Sequence, residues 1–294
     1  MRRSGRRYRS GRAAEHYDVI VIGSGIGGLS LAALMTKLGK RVCVLEQHYT
    51  AGGFTHSYER EGFEWDVGVH YIGEVHKPHS TLRRLFDVIS DGALKWAPMD
   101  PVYDRIIIGD RRVNFTAGRG ALADNLIAQF PAEEAAIRRY IELIDETAGA
   151  AQKFFAGQAM PRWLGRTYQA ARPMLVPKNC FRSVREVLEE LTQDQELIGV
   201  LTGQWGDYGM VPRDASFLMH ATVVKHYFGG GSYPVGGSWM IPDTIVPVIR
   251  AGGGEVFTYA KVEEIVIEKG RATGVRMANG DILRADQIVS AAGA

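Results

Sequence analysis

The feature that most constrains this chain is Gly23-Ser24-Gly25-Ile26-Gly27-Gly28, set between a β-branched run and a helix-forming stretch. Asp18-Val19-Ile20-Val21-Ile22 is apolar without alternation, which predicts a central parallel strand buried on both faces. The following stretch predicts a helix over 26–38, with Gly39 placed for a left-handed C-cap. Arg41-Val42-Cys43-Val44-Leu45-Glu46 then predicts a second strand, so the chain opens with a compact βαβ unit. In such a unit Gly23 permits the tight turn, Gly25 lets backbone approach a pyrophosphate, and Gly28 lets helix and strand pack closely. Free N–H groups at the helix start face the phosphate charge. Glu46 lies eighteen residues past Gly28, at the strand end, where a carboxylate accepts hydrogen bonds from adenosine ribose hydroxyls. Strand, turn, helix, second strand and terminal acid together predict a dinucleotide site.

The rest of the chain divides by texture. Residues 1–16 carry six arginines among the first twelve positions and no acid there, which predicts a solvated, disordered tail. The formal charge of +2 belongs to that segment, since the body has 29 basic against 33 acidic residues. No basic face for nucleic acid is expected. The uncharged run from Val19 to Met35 is read as the nucleotide fingerprint rather than as a signal peptide or membrane span. Cys43 and Cys180 make no disulfide framework; Cys43 reads as a small buried hydrophobe. Residues 54–66 predict a hairpin about Glu61-Gly62. Amphipathic helices follow from about 76 to 228, with a strand pair near Tyr103–Phe115. Pro131 opens one helix, whose buried stripe is Ile137, Tyr140, Ile141 and Ile144, and Ser183 with Glu186 predicts a capping box. Short strands return after Gly236-Gly237, with Asn279-Gly280 read as a type I′ turn.

An acid at the ribose selects an unphosphorylated nucleotide and does not separate FAD from NAD. Gly52-Gly53 bear on that choice, because paired glycines let a second loop close on a long, buried ligand. The expected cofactor site is therefore Gly23, Ser24, Gly25, Ile26, Gly27, Gly28, Glu46, Gln47, Gly52, Gly53 and Phe54.

Residues 18–73 together resemble the flavin-binding opening of the phytoene desaturase and amine oxidase superfamily. Asp66-Val67-Gly68-Val69-His70-Tyr71-Ile72-Gly73 resembles its retinol saturase and carotenoid isomerase branch. Gly206-Asp207-Tyr208-Gly209, Met219-His220-Ala221, His226-Tyr227 and Tyr233-Pro234-Val235-Gly236-Gly237 carry the same resemblance. The resemblance implies bound FAD and redox chemistry or isomerisation at carbon–carbon double bonds of a hydrophobic polyene or isoprenoid. It adds Val262 near the adenine, and Ala292 and Gly293 near the pyrophosphate. The implied fold is α/β: a Rossmann-like FAD-binding domain, three-layer and of glutathione-reductase type, from 17–75 and 230–294, with an inserted α+β substrate domain over 76–229. Two departures stand out. Thr50-Ala51 occupies the place of the family's arginine before the paired glycines, and family members continue well past Ala294, so the chain is expected to be truncated.

Saturating a double bond needs a hydride at one carbon and a proton at the other. His70, Tyr71, Tyr208, His220 and His226 are the candidate proton donors, each with an alternative as a hydrogen-bonded core residue. His70, His76 and His79 match no tetrahedral spacing, so no metal is expected. Phe154-Phe155, Trp163-Leu164 and Met174-Leu175-Val176 lie among Lys153, Arg162, Arg166, Arg172 and Lys178, which suits either a headgroup region or a helical core with solvated charges. A cytoplasmic protein with peripheral contact at the inner face of a membrane is expected. Alternatives are an amine- or porphyrinogen-oxidase-type flavoenzyme, or a truncated, non-catalytic nucleotide-binding chain.

Overall fold

The computed structural model describes residues 3–293; Met1, Arg2 of the basic segment and the chain end at Ala294 lie outside the described residues. The chain divides into two compact units, Met1–Ala97 with Ser232–Ala294, and Pro98–Gly231. The expected boundary at 75/76 falls too early. Phe86, Ile89 and Leu94 are buried in the first unit's core, which keeps this stretch with the sheet.

In chain order the first unit contains β1 (Arg6–Arg7), β2 (His16–Ile22), α1 (Ile26–Lys37), β3 (Val42–Leu45), β4 (Ser57–Arg60), β5 (Phe63–Asp66), β6 (Ile72–Gly73), α2 (Thr81–Ile89) and β7 (Trp96–Pro98). The second unit contains β8 (Val102–Ile108), β9 (Arg111–Thr116), α3 (Arg119–Gln129), α4 (Glu134–Gly149), α5 (Ala151–Phe155), α6 (Arg162–Leu175), α7 (Val184–Leu191), α8 (Gln195–Leu201) and α9 (Phe217–His226). The chain then returns through β10 (Gly231–Pro234), α10 (Met240–Ala251), β11 (Glu255–Thr258), β12 (Val262–Glu268), β13 (Arg271–Met277) and β14 (Ile282–Ser290).

A seven-stranded sheet orders the first unit as β1-β11-β3-β2-β14-β13-β12. The strands from β1 to β14 in that order are mutually parallel, and β13 and β12 are antiparallel. Pleating sends alternate residues to opposite faces. Val19, Val21, Val42 and Val44 bury against α1 and α10 through Leu29, Ala32, Ala33, Ile241 and Ile245. Ile20, Cys43 and Leu45 bury on the other face with Phe257, Val275, Met277 and Leu283. Both faces are covered, which is why the strands carry no polar alternation.

Residues 3–16 are not a disordered tail, and the first two positions of that expectation lie outside the described residues. β1 pairs in parallel with β11, Arg6 opposite Phe257 and Arg7 opposite Thr258. Tyr8 packs edge-on against Phe257 at 5.4 Å, and its hydroxyl donates to Asp281 at 2.7 Å. Arginine spacing hid this pairing, because an edge strand forms through backbone bonds while its charges stay in solvent. Arg6 lies 3.7 Å from Glu255, and Arg7 sits over the Tyr259 ring at 4.3 Å.

The hairpin β4–β5 turns at Glu61 and Gly62, both at positive φ, as a type I′ turn demands. The Asn279-Gly280 turn differs from its expected form. Only Gly280 has positive φ, and the Asn279 side chain accepts from the Asp281 amide at 3.2 Å. With that local bond in place, glycine alone supplies the left-handed residue of the turn. The other tight turn of this meander, Lys269-Gly270, has both residues at positive φ.

The second unit is helical apart from the hairpin β8–β9. The stripe Ile137, Tyr140, Ile141 and Ile144 of α4 is buried, and the Ser183–Glu186 capping box opens α7. Among the described residues no helix is long and apolar enough to cross a membrane.

Candidate functional site

The glycine loop, the end of β3 and the segment after it converge at the carboxyl edge of the parallel strands, where open α/β sheets place ligands. They enclose a cleft of about 690 Å³, lined by Gly23, Ser24, Gly25, Ile26, Glu46, Gln47, His48, Gly53, Phe54, Thr55, His56, Val67 and Ala291 to Gly293. Its volume lies in the range of small-molecule sites.

Glu46 organises the cleft. One carboxylate oxygen accepts from the Ser24 amide at 2.9 Å and the Ser24 hydroxyl at 2.6 Å; the other accepts from the His48 amide at 2.8 Å. An ionised carboxylate has about four lone-pair sites, so one remains for a ligand hydroxyl. The acid thus fixes the glycine loop to the strand end before any ligand arrives. The paired glycines close the other side: the Gly52 amide donates to the Ser24 carbonyl at 3.1 Å, and Gly25 bridges Gly52 in parallel.

The glycines divide by what a side chain would meet. A Cβ on Gly28 would lie 2.2 Å from the Gly23 carbonyl oxygen, so Gly28 serves helix–strand packing. A Cβ on Gly53 would lie 2.9 Å from the Gly25 Cα, at a positive φ of 54°. A Cβ on Gly25 meets nothing within 4 Å, so this glycine leaves space that belongs to the cleft. No side chain caps α1, and its first-turn N–H groups are available to an anion beside that space.

Of the expected cofactor residues, Gly23 to Ile26, Glu46, Gln47, Gly53, Phe54, Ala292 and Gly293 line the cleft. Gly28 and Gly52 do not line it and serve close packing, and Gly27 is exposed outside the lining. Val262 does not line it; it begins β12 and packs beside the buried Val275 and Met277. Sequence reading missed His48, Thr55, His56, Val67 and Ala291. His48 and His56 have ring centroids 4.9 Å apart, and His56 Nδ1 lies 2.6 Å from the Gly53 carbonyl oxygen. They follow Glu46 by two and ten positions, and only the return of the paired-glycine segment brings them together. Among the described residues no lysine or arginine lines the cleft.

The sequence blocks around Asp66 and Tyr233 meet through one carboxylate. Asp66 accepts from the Tyr233 hydroxyl and from the Ser238 hydroxyl. The next residues, Val67 and Gly68, donate their amides to the His56 and Phe54 carbonyls, holding Val67 at the cleft.

The candidate proton donors separate. His70 and Tyr71 lie in the first unit, before β6, with rings in contact at 4.4 Å and His70 exposed. His220 lies in the second unit and is fully buried, with Nε2 2.9 Å from the Tyr140 hydroxyl and Nδ1 3.2 Å from the Tyr208 hydroxyl. Burial lowers its pKa to about 3. Both ring nitrogens have a tyrosine hydroxyl as partner, and burial disfavours the charged ring. Tyr208 is committed to the same pair, and burial raises its pKa to about 12. His226, at the end of α9, contacts the Tyr227 ring at 4.9 Å. Among the described residues no group of three histidine, cysteine or acidic side chains could hold a metal ion.

Comparison with known proteins agrees with this geometry. Residues 21–89 match the family of NAD(P)-binding Rossmann-like domains. All-trans-retinol 13,14-reductase of Danio rerio is 39% identical over 96% of this chain and 48% of its own length. Prolycopene isomerase of Daucus carota is 28% identical over 95% of this chain and 46% of its own length. Among solved structures, an oxidoreductase from Methanosarcina mazei superposes with a TM-score of 0.65 at 20% identity, over 92% of this chain and 58% of that one. The chain spans about half the length of the curated relatives it matches. Along almost all its own length the chain is similar to an all-trans-retinol 13,14-reductase and, at lower identity, to a prolycopene isomerase, and its opening matches the NAD(P)-binding Rossmann-like domains.

Proposed function

We propose that this chain holds the ADP half of FAD in the cleft between Gly25 and Gly53, as part of an oxidoreductase acting on carbon–carbon double bonds of a hydrophobic polyene. The observation that carries the reading is the Glu46–Ser24–His48 hydrogen-bond hub beside the open space at Gly25. The spare lone pair of Glu46 takes a ribose hydroxyl, and the backbone at Gly25 and the start of α1 receives the pyrophosphate. His48 and His56 line the same cleft. Bound flavin supplies hydride transfer, and the protein supplies position and dryness. His70 and Tyr71 remain the first-unit candidates for proton delivery. The retinol reductase and prolycopene isomerase names of the relatives support a polyene substrate for the whole protein.

The test is the absorption spectrum of the purified chain after incubation with FAD and gel filtration. Retained flavin bands that vanish in a Glu46→Ala variant support the reading. Equal flavin content in both proteins overturns it, and retention of NAD instead reassigns the cofactor.

Membrane contact belongs to the same reading. Residues 151–182 carry Lys153, Arg162, Arg166, Arg172, Lys178 and Arg182 and no acid. Phe154 and Val176 pack into a small core with Cys180 and Leu218, whereas Trp163 and Met174 are 74% and 89% exposed. Arg182 pairs with Glu190 at 2.6 Å; the exposed apolar side chains beside the other cations of the segment fit an anionic headgroup layer. Flotation with anionic liposomes checks this, and salt-insensitive or absent binding removes it.

A further inference from the structure

A second cleft, of about 270 Å³, opens past the carboxyl ends of β1 and β11, and Arg7, Arg9, Lys261, Tyr8, Tyr259 and Asn279 are among its lining residues. Three of these side chains are cations and no carboxylate lines the cleft. We propose that this cleft binds a phosphoryl group, carried either by a small molecule or by a lipid headgroup.

Strand pleating separates the two arginines of β1. Arg6 is offset by Glu255 at 3.7 Å, whereas Arg7 lies over the Tyr259 ring at 4.3 Å. Stacking occupies the guanidinium face and fixes its plane, leaving edge N–H donors for an oxyanion. Arg7, Arg9 and Lys261 have no ion pair among the described residues.

The walls are fixed by hydrogen bonds. Asp281, the neighbouring acid, receives the Tyr8 hydroxyl at 2.7 Å, the Asn279 side-chain amide at 2.9 Å and the Ser10 hydroxyl at 3.0 Å. Its carboxylate is engaged by those donors and is not part of the lining. The Ala278 amide donates to the Lys261 carbonyl at 2.9 Å, and the Tyr259 amide to the His48 carbonyl at 2.9 Å. The Tyr8 and Tyr259 backbones continue parallel strands at the sheet edge where the larger cleft also opens, an edge that favours ligands in α/β folds. Charge-assisted bonds from two guanidinium groups and an ammonium suit the three oxygens of a phosphate monoester. This inference is independent of the flavin reading, because none of the three cations lines the larger cleft.

The experiment uses the full chain and an Arg9→Ala/Lys261→Ala variant, both positions being exposed. Inorganic phosphate is titrated against chloride at equal ionic strength, with thermal midpoint and ³¹P line width as readouts. Vesicles with and without phosphatidic acid form a second arm. The expected result is phosphate-specific stabilisation, or retention on phosphatidic acid vesicles, weakened roughly tenfold in the variant. Response to free phosphate assigns a soluble ligand; response to vesicles alone assigns a headgroup. Equal effects of phosphate and chloride with no vesicle retention overturn the proposal, as does binding that survives in the variant. Flavin content measured in parallel separates this outcome from failure of the larger cleft.

Discussion

At the residue scale, the glycines of one motif do different work. Gly28→Ala would place a Cβ 2.2 Å from a backbone carbonyl, so we expect a loss of stability of about 1–3 kcal/mol by thermal or denaturant unfolding. Gly25→Ala meets nothing in the protein, so we expect near-unchanged stability with nucleotide retention lost, measured by calorimetric titration with ADP and FAD. Equal behaviour of the two variants would contradict the division. Glu46→Gln removes a charged acceptor from the Ser24 and His48 amides and from the ligand. Nucleotide affinity should fall by about 10- to 100-fold with an unchanged far-UV spectrum, as hydrogen bonds to charged groups contribute about 1.5–3 kcal/mol. Spacing alone marked Gly23, Gly25, Gly28 and Glu46. His48 and His56 escaped because their meeting at 4.9 Å depends on where the paired-glycine segment returns.

At the element scale, the arginine-rich opening contributes a strand at Arg6–Arg7. Tyr8→Phe removes its bond to Asp281 and should cost about 1 kcal/mol, and Tyr8→Ala, which also vacates the contact with Phe257, about 3–5 kcal/mol. A disordered segment would show no effect in either variant. The pairing of α4 with α9 carries a pH signature through His220. Burial holds the folded imidazole neutral down to about pH 3, whereas the unfolded chain takes up a proton near 6.5. The unfolded state therefore binds more protons between those values, and stability is complete above the window and falls as pH decreases through it. The loss is on the order of several kcal/mol. Unfolding midpoints measured from neutral pH to about pH 4 should fall in the parent and fall less in His220→Gln. Parallel slopes would remove His220 as the cause.

At the scale of the whole molecule, a ligand bound by the folded state alone stabilises it by mass action. Free FAD at a hundred times its Kd should add about 2.7 kcal/mol to unfolding of the parent and nothing to Gly25→Ala. The unit held together by the parallel sheet was legible because its signals are local. A β-branched run, a glycine turn, a helix with small residues on one face and a second apolar strand each follow from nearest neighbours along the chain. Hairpin β4–β5 and the Ser183 capping box were legible for the same reason. Tertiary structure decided what local signals leave open. It placed β1 beside β11, with paired residues 251 positions apart along the chain, where backbone bonds and one tyrosine outweigh arginine-rich composition. It kept α2 with the sheet because Phe86 and Ile89 complete that core. It buried His220 between two tyrosine hydroxyls, which partner both of its ring nitrogens. Sequence by itself determined the βαβ nucleotide site, because that chemistry is written in glycine spacing and one strand-end acid; long-range packing alone decided which polar groups face the cleft and which the core.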